Sequence, residues 1–328
     1  MRPRVFVTQP VAASAIARLR EVADVSINAD ALHIPDKDEL IAATRSHDVL
    51  FCLLHDCIDR DVIAANPGLR MIASMTITPA DIDIAEATAR RVPVTVIPAG
   101  LLNDATADLA WALIFAVGRR VTEADRRVRA GTIPGSQSAY MQAGGVSGRT
   151  LGLVGVGGVG RAVAQRARGF PLRVIYHDPR PLGADEEKAL CLTWVGFDEL
   201  LRTADFVSIH ANLSPATRHL IGERELNLMK PTACLINTSR GPIVDEQALI
   251  RALTGRRIAG AGLDVFEHEP GIDPVLLGLP NTTITPHMGS AVAELRESMA
   301  NVVVDNILAV LDNRQPPDCW NKEIYATQ

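Results

Sequence analysis

The feature that most constrains this chain is a glycine cluster between an apolar segment and a helical pattern. Leu151 to Val154 is almost entirely apolar, the next six residues are Gly-Val-Gly-Gly-Val-Gly, and helical spacing follows from Arg161 to Arg168. This order predicts a strand, a tight turn and a helix. Gly155 permits the turn, while Gly157 and Gly160 let a pyrophosphate and the helix approach the backbone closely. We therefore predict a dinucleotide site with its phosphates at the helix N-terminus.

An acid after the next apolar run indicates which dinucleotide is favoured. Leu172 to Tyr176 predicts a second strand, which leads to Asp178, 18 positions after Gly160. An acid at this place accepts hydrogen bonds from the adenosine ribose hydroxyls and repels a 2′-phosphate. Arg180 is the nearby residue that would suit a 2′-phosphate, but Asp178 holds the position that the ribose needs. The sequence favours NAD over NADP.

Length and composition set the broad class. At 328 residues, the chain exceeds the size at which one core stops growing, so two domains are expected. It is 47% hydrophobic and 22% charged, which is typical of a globular protein. A net charge of −5 argues against nucleic-acid and anionic-membrane partners. No uninterrupted apolar run approaches the length of a membrane span, and we expect a cytoplasmic protein with reduced thiols.

A small group of metal-binding residue types lies near the N-terminus. Cys52, His55 and Cys57 are close in sequence, but no second pair of ligands follows at zinc-like spacing. The segment Val49 to Leu54 is apolar enough to be a buried strand. No metal site is expected.

The order of apolar runs and helical patterns predicts parallel α/β structure on both sides of the glycine cluster. Residues 1 to about 100 form a small α/β domain without a glycine fingerprint. One long helix is expected over 104–130, ending in arginines that suit the helix dipole. The final helix, from Ala291 to Leu311, and its tail are expected to pack on the first domain. Strands are predicted at Val5–Thr8, Asp24–Ile27, Val49–Leu54, Met71–Met75, Val94–Ile97, Phe206–His210, Ala233–Asn237, Ala259–Leu263 and Thr282–Thr285.

Three loops that follow predicted strands carry an arginine, an acid and a histidine. Arg240 follows Leu235 to Asn237, Glu269 lies in the loop after Leu263, and His287 follows Ile284-Thr285. Ligands collect at the carboxyl ends of strands in open α/β sheets. The three side chains are therefore expected to face one crevice.

These groups suit hydride transfer to a carbonyl. His287 is the candidate general acid, because an imidazole titrates near working pH. Glu269 beside it would favour the imidazolium, and Arg240 offers a planar fork for a substrate carboxylate and its carbonyl oxygen. Glu267 and His268 are the nearest competitors for these roles. The acid-proline ending of the motif selects Glu269.

Four motifs in one order carry a family resemblance. Residues 155–160, 237–241, 262–270 and 285–290 together resemble the NAD-dependent D-2-hydroxyacid dehydrogenases, which include phosphoglycerate, glyoxylate/hydroxypyruvate, formate and phosphite dehydrogenases. The resemblance implies that Arg240, Glu269 and His287 are catalytic. It also implies a doubly wound Rossmann coenzyme domain over 103–291, and a smaller flavodoxin-like α/β substrate domain from 1–102 and 292–328. A homodimer joined through the helix 104–130 is expected.

The resemblance also assigns contacts with the cofactor and the substrate. Asp264 resembles the aspartate that meets the nicotinamide carboxamide. The full set of expected cofactor contacts is Gly155, Gly157, Gly158, Val159, Gly160, Asp178, Asn212, Thr217, Thr238, Ser239, Asp264 and Gly289. Ile77 and Thr78 are the expected substrate contacts.

The substrate loop departs from the family pattern. Thr78 and Pro79 stand where a glycine and an aromatic residue are usual, and Asn212 stands where many members have proline. Proline supplies no N–H and threonine has a restricted backbone, so the substrate cradle must have a different shape. We expect a 2-oxo acid with a bulkier or more polar side chain than that of glyoxylate.

Two other functions remain open from the sequence. One is NAD-dependent oxidation of a small anion, as in formate and phosphite dehydrogenases. The other is a nucleotide-sensing, corepressor-like protein in which NAD binding switches assembly. The presence of Arg240, Glu269 and His287 together favours the dehydrogenase.

Overall fold

A computed structural model describes residues 2–79 and 81–326. The chain divides into two compact units, one of Met1–Leu101 with Ala291–Gln328 and the other of Leu102–Ser290. The strands are β1 (Arg4–Val7), β2 (Asp24–Ile27), β3 (Val49–Cys52), β4 (Met71–Ser74), β5 (Val94–Thr95), β6 (Thr150–Val154), β7 (Arg173–His177), β8 (Leu192–Trp194), β9 (Phe206–Ile209), β10 (Cys234–Asn237), β11 (Gly260–Leu263) and β12 (Thr282–Ile284). The α-helices are α1 (Ala13–Val22), α2 (Lys37–Ser46), α3 (Arg60–Ala64), α4 (Ile84–Ala89), α5 (Asn103–Gly118), α6 (Val121–Arg129), α7 (Gly158–Ala167), α8 (Ala184–Leu190), α9 (Phe197–Thr203), α10 (Glu223–Leu228), α11 (Glu246–Thr254), α12 (Pro274–Gly278) and α13 (Ala293–Leu311).

The first unit is a five-stranded parallel sheet with the order β2-β1-β3-β4-β5. This is the flavodoxin-like order. The chain's C-terminal tail extends it, since Val96 N donates to Asp318 O at 3.2 Å and Trp320 N donates to Val94 O at 2.7 Å. The C-terminal tail therefore belongs to the first unit.

The second unit is a seven-stranded parallel sheet with the order β12-β11-β10-β9-β6-β7-β8. Counted from β6 as the first strand, the order is that of a Rossmann fold with β12 added at one edge. Strands β7 and β8 are added on one side of β6 and strands β9 to β12 on the other, so the order reverses between β6 and β9. Helices α5 and α7 cover one apolar face, and α9, α10 and α11 cover the other. Buried on both faces, its central strands are nearly all apolar, which is why the sequence predicted them.

The edge strand β8 was not predicted. It has three residues, of which Thr193 and Trp194 are exposed, so no apolar run marks it. Pairing with β7 makes it a strand.

The single helix predicted over 104–130 is wrong. α5 ends at Gly118, and α6 begins at Val121 after Arg120 takes a left-handed conformation with φ 54°. Gly118 packs so closely on Phe206 that an added Cβ would lie 2.9 Å from its ring. Arg120 also donates to Glu123 Oε2 in α6 at 2.8 Å. The close packing of Gly118 on Phe206 and the left-handed Arg120 therefore end α5 within a pattern that contains no proline.

Among the described residues, one helical stretch, Ala99–Gly118, is long and apolar enough to cross a membrane; it consists of a 3-10 turn, Ala99–Leu102, followed by α5. Core helices that are buried in a protein have the same length and composition, so one such stretch is weak evidence for a membrane span. Its residues Trp111, Ile114 and Val117 are buried in the core of the second unit. The packing of these side chains explains the apolar composition.

Candidate active site

The glycine turn after β6 has the geometry that a dinucleotide needs. Gly155 has φ +92°, and an added Cβ would lie 2.9 Å from Ala211 N, so only glycine fits the turn. At Gly160 a Cβ would lie 2.4 Å from Gly155 O, which shows how closely helix α7 packs on the turn. At Gly157, by contrast, no described atom lies within 4 Å of an added Cβ. The turn is therefore tight beneath the helix and open at its start.

The start of α7 leaves backbone donors for an anion. Gly157 is its N-cap, and no described side chain caps it. The first N–H groups of a helix need acceptors, and a phosphate supplies them. The predicted contacts Gly158 and Val159 lie in this first turn.

Asp178 lies directly after β7 and beside the glycine turn. Its Oδ2 accepts a hydrogen bond from Val156 N at 3.1 Å, and its Oδ1 accepts one from Arg180 N at 3.0 Å. The indole of Trp194, on the edge strand, donates to Asp178 O at 3.2 Å. The carboxylate is thus fixed at the end of β7, and Trp194 is a support that sequence analysis did not find.

Arg240 follows β10 in a turn organised by Asn237. The buried Asn237 side chain accepts from Ser239 N and donates to Arg240 O, each at 3.0 Å. Ser239 Oγ donates to Ala211 O, which joins this turn to the loop after β9. The guanidinium Nη1 of Arg240 donates to Ser239 O at 2.8 Å. Nearby Thr238 Oγ1 is buried with no hydrogen-bond partner among the described residues.

The turn that carries His287 is built around Asp264. The Asp264 carboxylate accepts from Thr285 Oγ1 at 2.6 Å, from Met288 N at 2.8 Å and from Gly289 N at 2.9 Å. Asp264 is 1% exposed. These bonds hold His287 in a left-handed conformation with φ 51°, which is unfavourable for a residue with a Cβ. Asp264 therefore supports the histidine turn, a role beyond the expected cofactor contact.

Glu269 and His287 meet directly. His287 Nδ1 lies 2.6 Å from Glu269 Oε2, and the other oxygen, Oε1, accepts from Phe266 N at 2.8 Å. Glu267 instead faces His219 and Arg218, and His268 is exposed. The structure therefore brings together His287 and the acid that the acid-proline ending selected.

The other predicted contacts lie in two places. In the second unit, Asn212 is exposed after β9, and its carbonyl accepts from Thr217 Oγ1 at 2.6 Å, so the Thr217 hydroxyl shapes its own loop. In the first unit, Ile77 and Thr78 follow β4. There Ser74 Oγ and Thr76 Oγ1 lie 2.6 Å apart, and Thr76 Oγ1 donates to Thr78 O at 2.8 Å. A chain of hydroxyl groups shapes the loop that departs from the family pattern.

His210 directly follows β9, next to the glycine turn, and is buried. Its Nε2 lies 2.9 Å from Ser208 Oγ, and its Nδ1 has no partner within the described part of the chain. Burial lowers the pKa of His210 from 6.5 to about 4. The imidazole is therefore neutral at physiological pH.

We expect His210 to make the fold sensitive to mild acid. In the unfolded chain the imidazole binds a proton below pH 6.5, whereas in the folded protein it stays neutral down to about pH 4. The free energy of unfolding therefore falls as the pH falls through this window. Between about pH 7.5 and pH 5 the wild type should lose about 2 kcal/mol more unfolding free energy than His210→Gln. Urea unfolding at both pH values measures this. Equal losses in the two proteins would contradict a buried neutral histidine.

The described residues fit a nicotinamide dinucleotide. The open Gly157 follows β6, and the uncapped start of α7 comes directly after it. The fixed Asp178 follows β7, and the unpaired hydroxyl of Thr238 follows β10. The turn after β6 and the loop after β9 flank the point where the strand order reverses, which is where ligands bind in such sheets.

Comparison with known proteins agrees with this geometry. Residues 111–289 match the family model of the D-isomer specific 2-hydroxyacid dehydrogenase, NAD binding domain. The chain belongs to this family. It is an oxidoreductase of the class that acts on CH–OH donors, and it transfers hydride between a nicotinamide cofactor and a 2-oxo/2-hydroxy acid pair. The family resemblance found in the sequence is confirmed.

Similar proteins extend the likeness over the whole chain. The glyoxylate reductase of Thermococcus litoralis is 42% identical over an alignment of 331 positions, which covers 100% of this chain and 99% of that one. A solved protein of Thermus thermophilus is 40% identical with a TM-score of 0.88, covering 97% of this chain and 99% of that one. A solved NADPH-dependent glyoxylate/hydroxypyruvate reductase of Sinorhizobium meliloti is 29% identical with a TM-score of 0.81, covering 97% of each chain.

Proposed function

We propose that this dehydrogenase uses NADH to reduce a small 2-oxo acid to the D-2-hydroxy acid, and catalyses the reverse oxidation with NAD. The observation that carries the proposal is the pair formed by His287 Nδ1 and Glu269 Oε2 at 2.6 Å. Glu269 lies on the loop after β11, His287 on the loop after β12 and Arg240 on the loop after β10.

The proton in this reaction belongs to His287. Because its Nδ1 faces Glu269, the ring's other nitrogen, Nε2, donates the proton to the substrate carbonyl oxygen. Glu269 keeps the ring oriented and stabilises the imidazolium. When bound, the reduced nicotinamide supplies a hydride to the carbonyl carbon. In the oxidative direction, His287 accepts the hydroxyl proton.

Arg240 holds the substrate. A guanidinium donates two parallel hydrogen bonds to a carboxylate, and its charge also polarises the neighbouring carbonyl oxygen. The bond between Asn237 and Arg240 O at 3.0 Å fixes the backbone from which the side chain extends. This support favours a clamp over a mobile surface cation.

NAD is the proposed cofactor. Asp178, fixed by Val156 N and Arg180 N, would accept the ribose hydroxyls and repel a 2′-phosphate. The first turn of α7 would bind the pyrophosphate, and Asp264 and Gly289 would lie at the nicotinamide end. Asn212, Thr217, Thr238 and Ser239 complete the proposed contacts.

The substrate side chain is proposed to face the loop of Ile77 and Thr78. The hydroxyl groups of Ser74 and Thr76 hold this loop through Thr78 O. The backbone amides of the loop are therefore arranged differently from those of a loop that has glycine at position 78. We propose that it accepts a larger or more polar 2-oxo acid than glyoxylate. Glyoxylate is the substrate for comparison because the relative from Thermococcus litoralis is named a glyoxylate reductase.

The assembly and location are proposed on the family resemblance and the composition. The protein acts as a homodimer in the cytoplasm, with α5 and α6 contributing to the contact between copies. Sedimentation of the purified protein tests the dimer.

The experiment that tests the function is a substrate panel followed by NADH absorbance. Glyoxylate, pyruvate, hydroxypyruvate, phenylpyruvate and branched 2-oxo acids are each supplied with NADH and, separately, with NADPH. We expect turnover of at least one acid, with kcat/KM for NADH at least about tenfold above that for NADPH. Asp178→Ala is the matched variant, and it should narrow this ratio because the repulsive carboxylate is gone.

The outcomes separate the parts of the proposal. NADH binding without turnover of any acid contradicts the reaction. A clear kcat/KM preference for glyoxylate contradicts the proposed larger side chain and leaves the reaction intact. A preference for NADPH contradicts the role of Asp178.

A further inference from the structure

A second group of charged side chains joins three loops of the second unit. We call Arg218, His219, Glu246 and Glu267 the carboxylate cluster. Glu267 Oε1 accepts from His219 Nε2 at 2.5 Å and from Arg218 Nη2 at 3.1 Å. The Glu267 side chain is 8% exposed, whereas the side chains of Arg218 and His219 are partly in solvent. The acid is therefore the buried centre of the group.

The two glutamates also bind each other's backbone. Glu246 N donates to Glu267 Oε2 at 3.2 Å, and Glu267 N donates to Glu246 Oε2 at 3.0 Å. Burying two acids side by side is costly unless donors and opposite charges surround them. Both amides, Arg218 and His219 supply that compensation. In some proteins such buried arrangements add little net stability and fix the geometry of their parts.

The loops joined in this way carry most of the proposed site. Glu267 belongs to the loop of Glu269, and Glu246 follows the loop of Arg240. Arg218 and His219 end the segment that contains Asn212 and Thr217. Hydrogen bonds along the chain continue this segment, since Thr217 Oγ1 donates to Asn212 O at 2.6 Å and Arg218 N donates to Ser214 O at 2.9 Å.

Backbone contacts at the same place leave little freedom. His219 has a left-handed φ of 51°, and its N donates to Pro242 O at 2.8 Å. An added Cβ on Gly241 would lie 1.8 Å from Phe266 O, so the loops of Arg240 and Glu269 are in direct backbone contact. The Glu267 side chain therefore lies where the loops of Arg240 and Glu269 meet the segment that ends at His219.

We propose that Glu267 is a positioning residue, which holds Arg240, Glu269 and the Asn212–Thr217 segment in register through the carboxylate cluster. It acts through these residues and does not contact the substrate. The inference rests on the proposed function for its effect on turnover. Its effect on NADH binding, through the Asn212–Thr217 segment, is measured separately.

The test compares Glu267→Ala and Glu267→Gln with His268→Ala. His268 is the exposed neighbour on the same loop, so it is the matched control. Each protein is assayed well below its own Tm for kcat, KM and, by fluorescence, the Kd of NADH. We expect Glu267→Ala to lower kcat at least about tenfold and to raise the NADH Kd about fivefold, because misplaced groups lose catalysis steeply. Glu267→Gln keeps one acceptor oxygen and should recover part of both losses.

A second pair of variants covers the case in which Glu267→Ala does not fold. Arg218→Ala and His219→Gln remove or weaken the partially exposed partners of Glu267 and leave its backbone intact. Combined, they should lower kcat several-fold and raise the NADH Kd, whereas His268→Ala changes neither. If the folded variants change only Tm, with kcat and Kd within about twofold of the wild type, the positioning role is wrong.

The two proposals fail in different ways. A wild type that binds NADH but reduces no 2-oxo acid contradicts the proposed function, and the NADH Kd of the variants still tests the cluster. A wild type that turns over normally, alongside Glu267 variants that do the same, contradicts the cluster alone.

Discussion

His287→Ala is expected to lower kcat for reduction of the best 2-oxo acid by about 10²- to 10⁴-fold, which is the usual contribution of a positioned general acid. The variant removes the ring whose Nδ1 lies 2.6 Å from Glu269 Oε2. Binding of NADH should change little, because the dinucleotide contacts proposed for the glycine turn and Asp178 remain. Steady-state kinetics and the NADH Kd, measured on the same preparation, check both statements.

His268→Ala provides the control for this loss. It removes an exposed imidazole from the loop that carries Glu269 and should leave kcat within about twofold of the wild type. Turnover by His287→Ala at the wild-type rate would remove the histidine from the mechanism. A loss of NADH binding that accounts for the whole effect would instead assign His287 to the cofactor site.

Gly241→Ala is expected to be the most damaging substitution for the fold of the site. Its added Cβ would lie 1.8 Å from Phe266 O, 2.0 Å from Phe266 C and 2.6 Å from Glu267 N. All three atoms are backbone, so no rotamer change relieves the overlap, and the loops of Arg240 and Glu269 must separate. We expect a loss of about 3 kcal/mol or more in unfolding free energy, with kcat lowered in whatever protein folds. Urea unfolding and kinetics measure the two effects.

Gly196→Ala is the matched control for the glycine substitution. Gly196 precedes α9 with φ −62°, and no described atom lies within 4 Å of its added Cβ. Its unfolding free energy should stay within about 1 kcal/mol of the wild type. A Gly241→Ala protein as stable and active as Gly196→Ala would show that the two loops do not need their close contact.

The strands and the candidate site residues could both be predicted from the sequence, because the candidate residues follow the apolar runs that mark the strands. Parallel strands covered on both faces are nearly all apolar, so β9 and β10 stand out, and functional residues follow where such runs end. Arg240 and His287 were predicted as site residues in this way. The glycine turn was found because its spacing reflects backbone requirements that few other residues meet.

Features that depend on contacts between distant segments were missed or mistaken. The break at Gly118 comes from packing on Phe206, and β8 exists because β7 offers it a partner. Asp264 was expected at the cofactor, yet its carboxylate also holds the turn of His287 through Thr285 Oγ1. No local pattern records such partners, because they lie many residues away in the chain.

The sequence by itself determined the family, the two-domain α/β fold and the glycine turn, and it predicted Arg240, Glu269 and His287 as the site residues, because backbone geometry and strand burial leave local patterns. The acid-proline ending of the motif selected Glu269 from the sequence, whereas tertiary structure alone decided that Glu267 joins Glu246, Arg218 and His219. The physical reason is that the partners of Glu267 come from segments distant in the chain, and no local pattern records which partners the fold brings to it.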